Sequence, residues 1–336
     1  MNNAVLLIYT GGTIGMVQNE NGVLEPFAMD RIYDALPQLR RAAYRIDSCQ
    51  LDPIIDSSNM NPDIWKAIAE IIEKEYDRYD GFVVLHGTDT MAYTASALSF
   101  MLENLGKPVV LTGSQLPLGM LRSDGRENII CALEIASSQK VIVPEVSIFF
   151  ESNLYRGNRS TKISAQDFDA FASFNYPALA TAGIDIKYNS HNILKTSGSQ
   201  KFSISTKFNR NIAILHLFPG ITPQTVRSIV ETRDLEALII STYGSGNAPT
   251  GEWFLDILQK AADKGIILYD VTQCKSGSVK IGQYATSSDL GKIGVISGLD
   301  ITIEAAATKL MYLLGNYPKN EVKEMLTRSL RGEITE

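Results

Sequence analysis

Short apolar runs recur along the chain, and each is followed by glycine or polar residues. The runs are VLLIY, GFVVLH, PVVLT, VSIFF, IAILHL, ALIIS and GIILYDV, and most are rich in β-branched residues. Strands that are apolar along their length are typical of parallel sheets covered on both faces. Ligands bind to such sheets beyond the carboxyl ends of the strands. The pattern therefore predicts an α/β fold whose functional groups follow these runs.

Helical patterns lie between several of the runs, and two of them have clear starts. Asn61 with Pro62, and Thr222 with Pro223, each combine a capping side chain with a proline suited to the first helical position. Residues 89–105, DTMAYTASALSFMLENL, read as a buried helix rich in alanine and methionine.

The length and one change of composition predict the domain organisation. At 336 residues the chain suits two domains better than one core. Residues 186–211 are rich in Ser, Asn, Lys and Thr and interrupt the α/β rhythm. We therefore predict an N-terminal α/β domain over residues 1–190, a linker over 191–211 and a C-terminal α/β domain over 212–336. The larger N-terminal domain should hold a mostly parallel sheet with helices on both faces.

Composition and charge exclude several classes of function. The net charge is −6 and no Lys/Arg-rich run occurs, which argues against a nucleic-acid partner. No stretch of 18 apolar residues is present, so we expect no membrane span, and the N-terminus lacks the basic start of a signal peptide. Cys49, Cys131 and Cys274 are odd in number and far apart, which favours a reducing compartment. The cytoplasm is the expected location.

Most cofactor and nucleophile motifs are also missing. The three histidines form no HExxH, the cysteines form no CxxC, and neither GxxxxGK[ST] nor GxSxG occurs. We expect no metal and no cofactor. A Ser-His-Asp triad stays open because triads are recognised by geometry. GGTIG does not match the dinucleotide-binding motif GxGxxG. A nucleotide site on this glycine-rich turn after the first strand is nevertheless the alternative hypothesis for its function.

A threonine stands among glycines directly after the first run. In YTGGTIGM, the glycines Gly11, Gly12 and Gly15 surround Thr13. A turn needs one or two glycines, so three within five residues indicate that another group approaches this backbone closely. Residues 14–30 lack a clean period and directly follow Thr13, which predicts a mobile lid.

Other hydroxyls, acids and one lysine follow later runs. HGTDT supplies Thr88 and Asp89, DSSN supplies Asp56, Ser57 and Ser58, and RGNRSTK supplies Lys162. A threonine needs a base to become a nucleophile, and a lysine can be that base where its surroundings lower its pKa. Such a set suits attack on a carboxamide. The structural alternatives are a strand end at Thr13, a helix cap at Thr88 and Asp89, a surface lysine at Lys162 and a satisfied strand-end histidine at His86.

Several segments together resemble the bacterial-type L-asparaginases, and most closely their cytosolic type I branch. The segments are YTGGTIGM, VVLHGTDTMAYTASALSFMLENLGKPVVLTGSQLP, LRSDGRENI, LYRGNRSTK, FDAFASFNYPALA, YGSGNAP and TQCKSG. They extend over essentially the whole chain. GGTIG alone is a modest signal, whereas GGTIG followed by HGTDT is very specific.

The resemblance implies a role for each matched residue. Thr13 would form the acyl-enzyme, and Thr88, Asp89 and Lys162 would complete the catalytic set. Asp56, Ser57 and Ser58, with Thr88 and Asp89, would bind the substrate. The family uses no cofactor, has a larger N-terminal and a smaller C-terminal α/β domain, and assembles as homotetramers built from close dimers. The implied activity is hydrolysis of L-asparagine to L-aspartate and ammonia, with a glutaminase-asparaginase or an amidotransferase subunit as near rivals.

The chain departs from the family pattern in two places. Where members commonly have an activating tyrosine in the loop after the nucleophile, NGVLEP offers Val23, so that role is dispensable or falls to another residue such as Tyr312. The type I branch can also carry an allosteric asparagine site. Its matching positions here are Thr272, Cys274 and, in place of a basic residue, Ser241, with Lys275 as another possible cation.

Overall fold

The apolar runs form the strands of two separate sheets. A computed structural model describes residues 3–18, 24–26, 32–195, 200–282 and 285–335. The chain divides into two compact units, Met1–Thr206 and Lys207–Glu336. Within the described ranges, every helix is too short or too polar to cross a membrane.

The first unit alternates strands and helices before it ends in short strands. Its strands are β1 (Ala4–Gly11), β2 (Met16–Gln18), β3 (Leu24–Pro26), β4 (Arg45–Ile55), β5 (Gly81–Leu85), β6 (Leu102–Glu103), β7 (Val109–Thr112), β8 (Val146–Phe150), β9 (Asn153–Arg156), β10 (Thr161–Lys162), β11 (Phe171–Ala172), β12 (Ala180–Ala182), β13 (Ile186–Tyr188) and β14 (Ser203–Ile204). Its α-helices are α1 (Ile32–Ala35), α2 (Pro62–Glu75), α3 (Met91–Met101) and α4 (Gly125–Ser137).

The main sheet of this unit has the strand order β13-β12-β9-β8-β7-β5-β1-β4. Strands β8, β7, β5, β1 and β4 run parallel, whereas β9, β12 and β13 are antiparallel additions. Because β4, β1 and β5 are parallel neighbours, the segments that follow them meet at one edge of the sheet.

The parallel strands β1, β5, β7 and β8 are buried on both faces, as their continuous apolar sequences predict. Successive side chains of a strand point to opposite faces. Val5, Leu7 and Tyr9 of β1 belong to one buried cluster with α4, and the intervening Leu6 and Ile8 are buried as well. Helices α3 and α4 both contact β7 and β8.

The predicted helix starts are confirmed. Asn61 Oδ1 accepts a hydrogen bond from Asp63 N at 3.0 Å, and Pro62 is the first residue of α2. Thr222 Oγ1 accepts from Thr225 N at 3.2 Å. In both cases the side chain satisfies a backbone donor that the first helical turn leaves unpaired.

Two features differ from the sequence-based reading. The helix expected over residues 89–105 ends at Met101, because Leu102–Glu103 pairs with Ser203–Ile204 and Asn104 adopts a left-handed φ of 55°. Strand β4 was not predicted, since its alternation of exposed and half-buried residues includes Asp47, Gln50 and Asp52. It is nevertheless the neighbour of β1.

The second unit is a smaller α/β layer structure. Its strands β15 (Ile212–His216), β16 (Ala237–Thr242), β17 (Ile267–Thr272) and β18 (Ile296–Ser297) form one parallel sheet in that order. Its helices are α5 (Pro223–Val230), α6 (Glu252–Asp263), α7 (Ala285–Ile293), α8 (Ile303–Asn316) and α9 (Lys319–Leu326). Two α/β units of unequal size agree with the predicted fold class.

Candidate active site

Three backbone turns meet at the carboxyl edge of β4, β1 and β5. Gly12 follows β1 with φ 92°, and a Cβ added there would lie 2.5 Å from the N and Cα atoms of Gly87, which follows β5. A Cβ at Gly87 would in turn lie 2.4 Å from Oγ of Ser57, which follows β4. These contacts leave no room for a side chain at Gly12 or Gly87, so they account for the glycine directly before Thr13 and the one directly before Thr88.

A cavity of about 390 Å³ opens at this junction. Its lining combines the turns after β1, β4, β5 and β7 with the segment around Lys162: Gly12, Thr13, Met16, Ile54, Ile55, Asp56, Ser57, Gly87, Thr88, Asp89, Gln115, Lys162 and Ala165. Thr13, Asp56, Ser57, Thr88, Asp89 and Lys162 are thus brought together. Ser58 is the immediate neighbour of this lining and contacts Asp56. Across the described ranges, no three His, Cys, Asp or Glu side chains are grouped as metal ligands would be.

Lys162 bonds to two residues of the turn after β5. Its Nζ lies 2.8 Å from Thr88 Oγ1 and 2.7 Å from Asp89 Oδ1. The lysine side chain is 19% exposed, whereas that of Asp89 is 66% exposed. The Lys162 side chain is therefore largely shielded from solvent. Its Nζ lies beside a carboxylate and beside the Thr88 hydroxyl, with which it can exchange a proton.

A buried ion pair fixes the start of the turn that leads from Arg156 to Lys162. Arg156, at the end of β9, donates through Nε to Glu145 Oε2 at 2.5 Å, and both side chains are 4% exposed. The same guanidinium donates to the Asn192 carbonyl at 2.8 Å and lies 4.2 Å from the ring centroid of Tyr176. These contacts anchor the turn that leads to the short strand containing Lys162.

Asp56 caps the short 3₁₀ turn Ser57–Asn59 and lines the cavity. Its Oδ1 accepts hydrogen bonds from the hydroxyl and the backbone N of Ser58, the latter at 2.8 Å. These bonds lower the pKa of Asp56, so the carboxylate stays charged at neutral pH. Thr90 Oγ1 donates to the Ser57 carbonyl at 2.7 Å and joins this turn to the one after β5.

His86 is buried beneath the same turn and fully hydrogen-bonded. Its Nδ1 lies 2.6 Å from the Gly87 carbonyl, so Nδ1 must donate. Thr94 Oγ1 accepts from Trp65 Nε1 at 3.0 Å and, with its own proton, donates to His86 Nε2 at 2.8 Å. Burial lowers the pKa of His86 to about 4, so the ring is neutral. The prediction of a satisfied strand-end histidine is confirmed.

Sequence reasoning missed Gln115, which lines the cavity from the turn after β7. Thr88 Oγ1 donates to Gln115 Oε1 at 3.4 Å, and Gln115 Nε2 donates to the Asp167 carbonyl at 3.0 Å. The signal that could have found it is its place in GSQLP, directly after the run PVVLT.

A second group of predicted residues lies at the carboxyl edge of the other sheet. Thr272 Oγ1 donates to the Gly244 carbonyl and accepts from Cys274 N at 3.0 Å. Ser241 Oγ lies 3.1 Å from Nδ1 of His216, on the neighbouring strand β15. Sequence reasoning did not single out His216 as a neighbour of Ser241, because that contact depends on strand register.

Among the described residues that line the cavity, Tyr312 does not occur. Tyr312 lies on α8 in the second unit, is 2% exposed and packs edge-on against Phe208 and Tyr317. Val23 lies outside the described residues, as do residues 19–23 and 27–30 of the predicted lid. The described parts, β2 and β3, pair antiparallel.

Comparisons with known proteins cover nearly the whole chain. A family model described as Asparaginase, N-terminal matches residues 4–194, and one described as Glutaminase/Asparaginase C-terminal domain matches residues 211–326. L-asparaginase 1 of Escherichia coli (strain K12) is 45% identical over 335 residues, which cover 99% of this chain and 98% of that protein.

Two further similarities come from an animal protein and a solved structure. A 60 kDa lysophospholipase of Mus musculus is 42% identical over 358 residues, covering 98% of this chain and 62% of that protein. The crystal structure of L-asparaginase I from Vibrio cholerae is 41% identical, with a TM-score of 0.92 and full coverage of both chains.

We expect Gly12→Ala to destabilise the protein far more than either of two control variants. Gly220 has a similar φ of 96° but has nothing within 4 Å of an added Cβ. Gly183 lies in the same unit as Gly12, and the nearest neighbour of an added Cβ there is at 3.8 Å. A positive φ costs about 1–2 kcal/mol, and the overlap with Gly87 should add roughly 1–3 kcal/mol. Urea unfolding of the three variants measures the difference. Equal losses for Gly12→Ala and Gly220→Ala would contradict the close approach of the two turns.

Proposed function

The chain belongs to the asparaginase family, and we propose that it hydrolyses L-asparagine to L-aspartate and ammonia through an acyl-enzyme on Thr13. The two matched family domains and the 45% identity to an L-asparaginase 1 make it an amidohydrolase. The observation that carries the proposal is the pair of contacts from Lys162 Nζ to Thr88 Oγ1 and Asp89 Oδ1, in a cavity also lined by Thr13.

The first half of the proposed reaction forms an ester and releases ammonia. The Thr13 hydroxyl oxygen attacks the side-chain carbonyl of asparagine, and its proton passes through Thr88 to Lys162. Backbone N–H groups of the glycine-bordered turns stabilise the oxyanion. When the C–N bond breaks, the leaving nitrogen takes up a proton and departs as ammonia.

The second half returns the enzyme to its starting state. Water attacks the ester carbonyl and gives up a proton to the Thr88–Lys162 pair. The bond to Thr13 Oγ1 breaks, the threonine regains its proton, and aspartate is released. Each step uses only groups that line the cavity.

The charges of the cavity suit an amino acid. The carboxylates of Asp56 and Asp89 can bind an α-ammonium group, and the Ser57 hydroxyl can donate to an α-carboxylate, whereas the Ser58 hydroxyl donates to Asp56. The same two carboxylates would repel the phosphates of a nucleotide, and a phosphate turn would leave Lys162, Thr88 and Asp89 without a role. These arguments favour the amidohydrolase over the nucleotide-binding alternative.

Ammonia release from L-asparagine, L-glutamine and D-asparagine, measured side by side at low and high concentration, tests the substrate. We expect L-asparagine to be preferred. Comparable rates with glutamine would make the protein a glutaminase-asparaginase. The name of the mouse relative suggests a second assay, the release of fatty acid from lysophosphatidylcholine. Hydrolysis of lysophosphatidylcholine without hydrolysis of asparagine would refute the proposal.

We also propose a homotetramer of close dimers and a cytoplasmic location. The first rests on the family resemblance and the second on the cysteine content. Light scattering on the purified protein measures the assembly.

We expect the acyl group on Thr13. Trapping the reaction with a slow substrate and mapping the modified peptide by mass spectrometry should find the adduct there. Thr13→Ala should lose nearly all activity, whereas Thr13→Ser, which keeps a hydroxyl, should retain part of it. An adduct on Thr88 alone, with Thr13→Ala still active, would overturn the assignment.

Lys162 and Thr88 should act as one unit. We expect Lys162→Met and Thr88→Val each to lower kcat at least about a hundredfold, with the double variant little worse, because groups in one relay lose their effects non-additively. Lys187→Met and Thr181→Val, at exposed positions of the same unit, are the matched controls. Losses that multiply cleanly would exclude a relay.

We expect asparagine to show weak or no positive cooperativity. The position matched to a basic residue is Ser241, whose neutral hydroxyl contributes about 0.5–1.5 kcal/mol per hydrogen bond against about 1.5–3 kcal/mol for a charged donor. About 1.4 kcal/mol is a tenfold difference in affinity. The Thr272 hydroxyl is already engaged by Gly244 and Cys274, which suits a structural role.

Initial rates across a wide asparagine range measure cooperativity. They are compared between the wild type and His216→Asn, since His216 lies beside Ser241. Hyperbolic curves are expected for both proteins. A sigmoidal wild-type curve abolished by Thr272→Ala would contradict the prediction, and its loss in His216→Asn would make His216 part of that second site.

A further inference from the structure

Gln115 lines the cavity, and both the oxygen and the nitrogen of its side-chain amide are hydrogen-bonded. The Asp167 carbonyl can only accept, so the atom 3.0 Å from it must be the amide nitrogen of Gln115. The amide oxygen then faces Thr88 Oγ1 at 3.4 Å and can only accept from it. The partners therefore determine which way the amide points and where the Thr88 proton lies.

The backbone that carries Gln115 is itself tightly held. The Asp124 carboxylate accepts from Gln115 N at 2.9 and 3.1 Å and from Leu116 N at 3.1 Å. Asn128 Nδ2 donates to the Gly113 carbonyl at 3.0 Å. The turn after β7 thus presents the side chain from a stiff support.

The backbone carbonyl of Asp167 accepts from Gln115, and the segment around it is held by hydrogen bonds as well. Ser164 Oγ accepts from the backbone N of Gln166 at 3.1 Å and of Asp167 at 2.9 Å. Because Lys162 lies just before this segment, Gln115 connects the strand that carries the lysine to the turn that carries Thr88.

The hydroxyl of Thr88 is consequently placed between two partners. It accepts from Lys162 Nζ at 2.8 Å and donates to Gln115 Oε1 at 3.4 Å. A hydroxyl has one proton and two lone pairs, so one lone pair stays available to accept a proton. The 3.4 Å bond is long for a hydroxyl donor, and it orients the group without preventing rotation towards Lys162.

We propose that Gln115 is a positioning residue that orients the Thr88 hydroxyl for proton transfer. The inference rests on the proposed amidohydrolase function and assigns a role to a residue outside the matched catalytic set. Gln115 does not react. It holds the Thr88 oxygen in line with Lys162 and keeps the segment after Lys162 against the cavity.

Gln115→Met tests the inference because it keeps the length of the side chain and removes both hydrogen bonds. We expect kcat for asparagine to fall about five- to tenfold, the effect of losing a neutral hydrogen bond, with KM within about twofold. The matched control is Gln259→Met, since Gln259 lies on α6 and donates to Asp263 at the surface. Thermal melting of both variants checks the fold.

Gln115→Glu tests the pH dependence of kcat/KM, which should stay unchanged if Gln115 has a purely structural role. A carboxylate at this point would share the Thr88 oxygen with Lys162 and favour the protonated form of the lysine. The base must be unprotonated to accept a proton, so the rise of kcat/KM with pH should move to higher pH. This measurement also decides the question if Gln115→Met fails to fold.

Three results would overturn the inference. They are a Gln115→Met kcat within twofold of the Gln259→Met control, a change confined to KM, and a Gln115→Glu pH profile that superimposes on the wild type. A wild-type protein inactive towards asparagine would refute the proposed function instead, so the two failures are distinguishable.

Discussion

The approach of Gly12 to Gly87 is the contact on which the geometry of the cavity depends. It requires two adjacent parallel strands to end in turns without side chains, so that backbone meets backbone. Thr13 follows one of these glycines and Thr88 follows the other. The contact therefore brings together two hydroxyls that are far apart in the chain. Ser57 adds the third turn, through its own contact with Gly87.

Lys162 reaches this junction from the opposite edge of the sheet. Strand β9 is antiparallel to β8 and ends at Arg156, opposite Ser147 near the start of β8, so the chain turns back to the carboxyl edge between Arg156 and Lys162. Burying two charges is costly unless they are paired, and the Arg156–Glu145 pair satisfies that condition at the reversal. The same pair thereby contributes to the position of Lys162, although neither residue lines the cavity.

Several polar groups beneath and around the turns hold the reactive residues in place and do not take part in the reaction themselves. His86 is neutral and engaged by Thr94 and Gly87, so it supports the turn that carries Thr88. Asp124 holds the backbone at Gln115, whose amide reaches Thr88. The reactive groups are few, and each is oriented by a neighbour supplied by another strand end. Such preorganisation reduces the reorganisation required when charge develops in the reaction.

The sequence by itself determined the α/β class, the residue types that follow the strands, and the glycine requirement around Thr13, because periodicity and turn chemistry are local. It also determined the starts of α2 and α5 through their caps. Only the tertiary structure decided that the polar strand β4 lies beside β1, that Gln115 meets Thr88, and that His216 meets Ser241. These contacts depend on strand order and register, which long-range packing sets and which no short segment encodes.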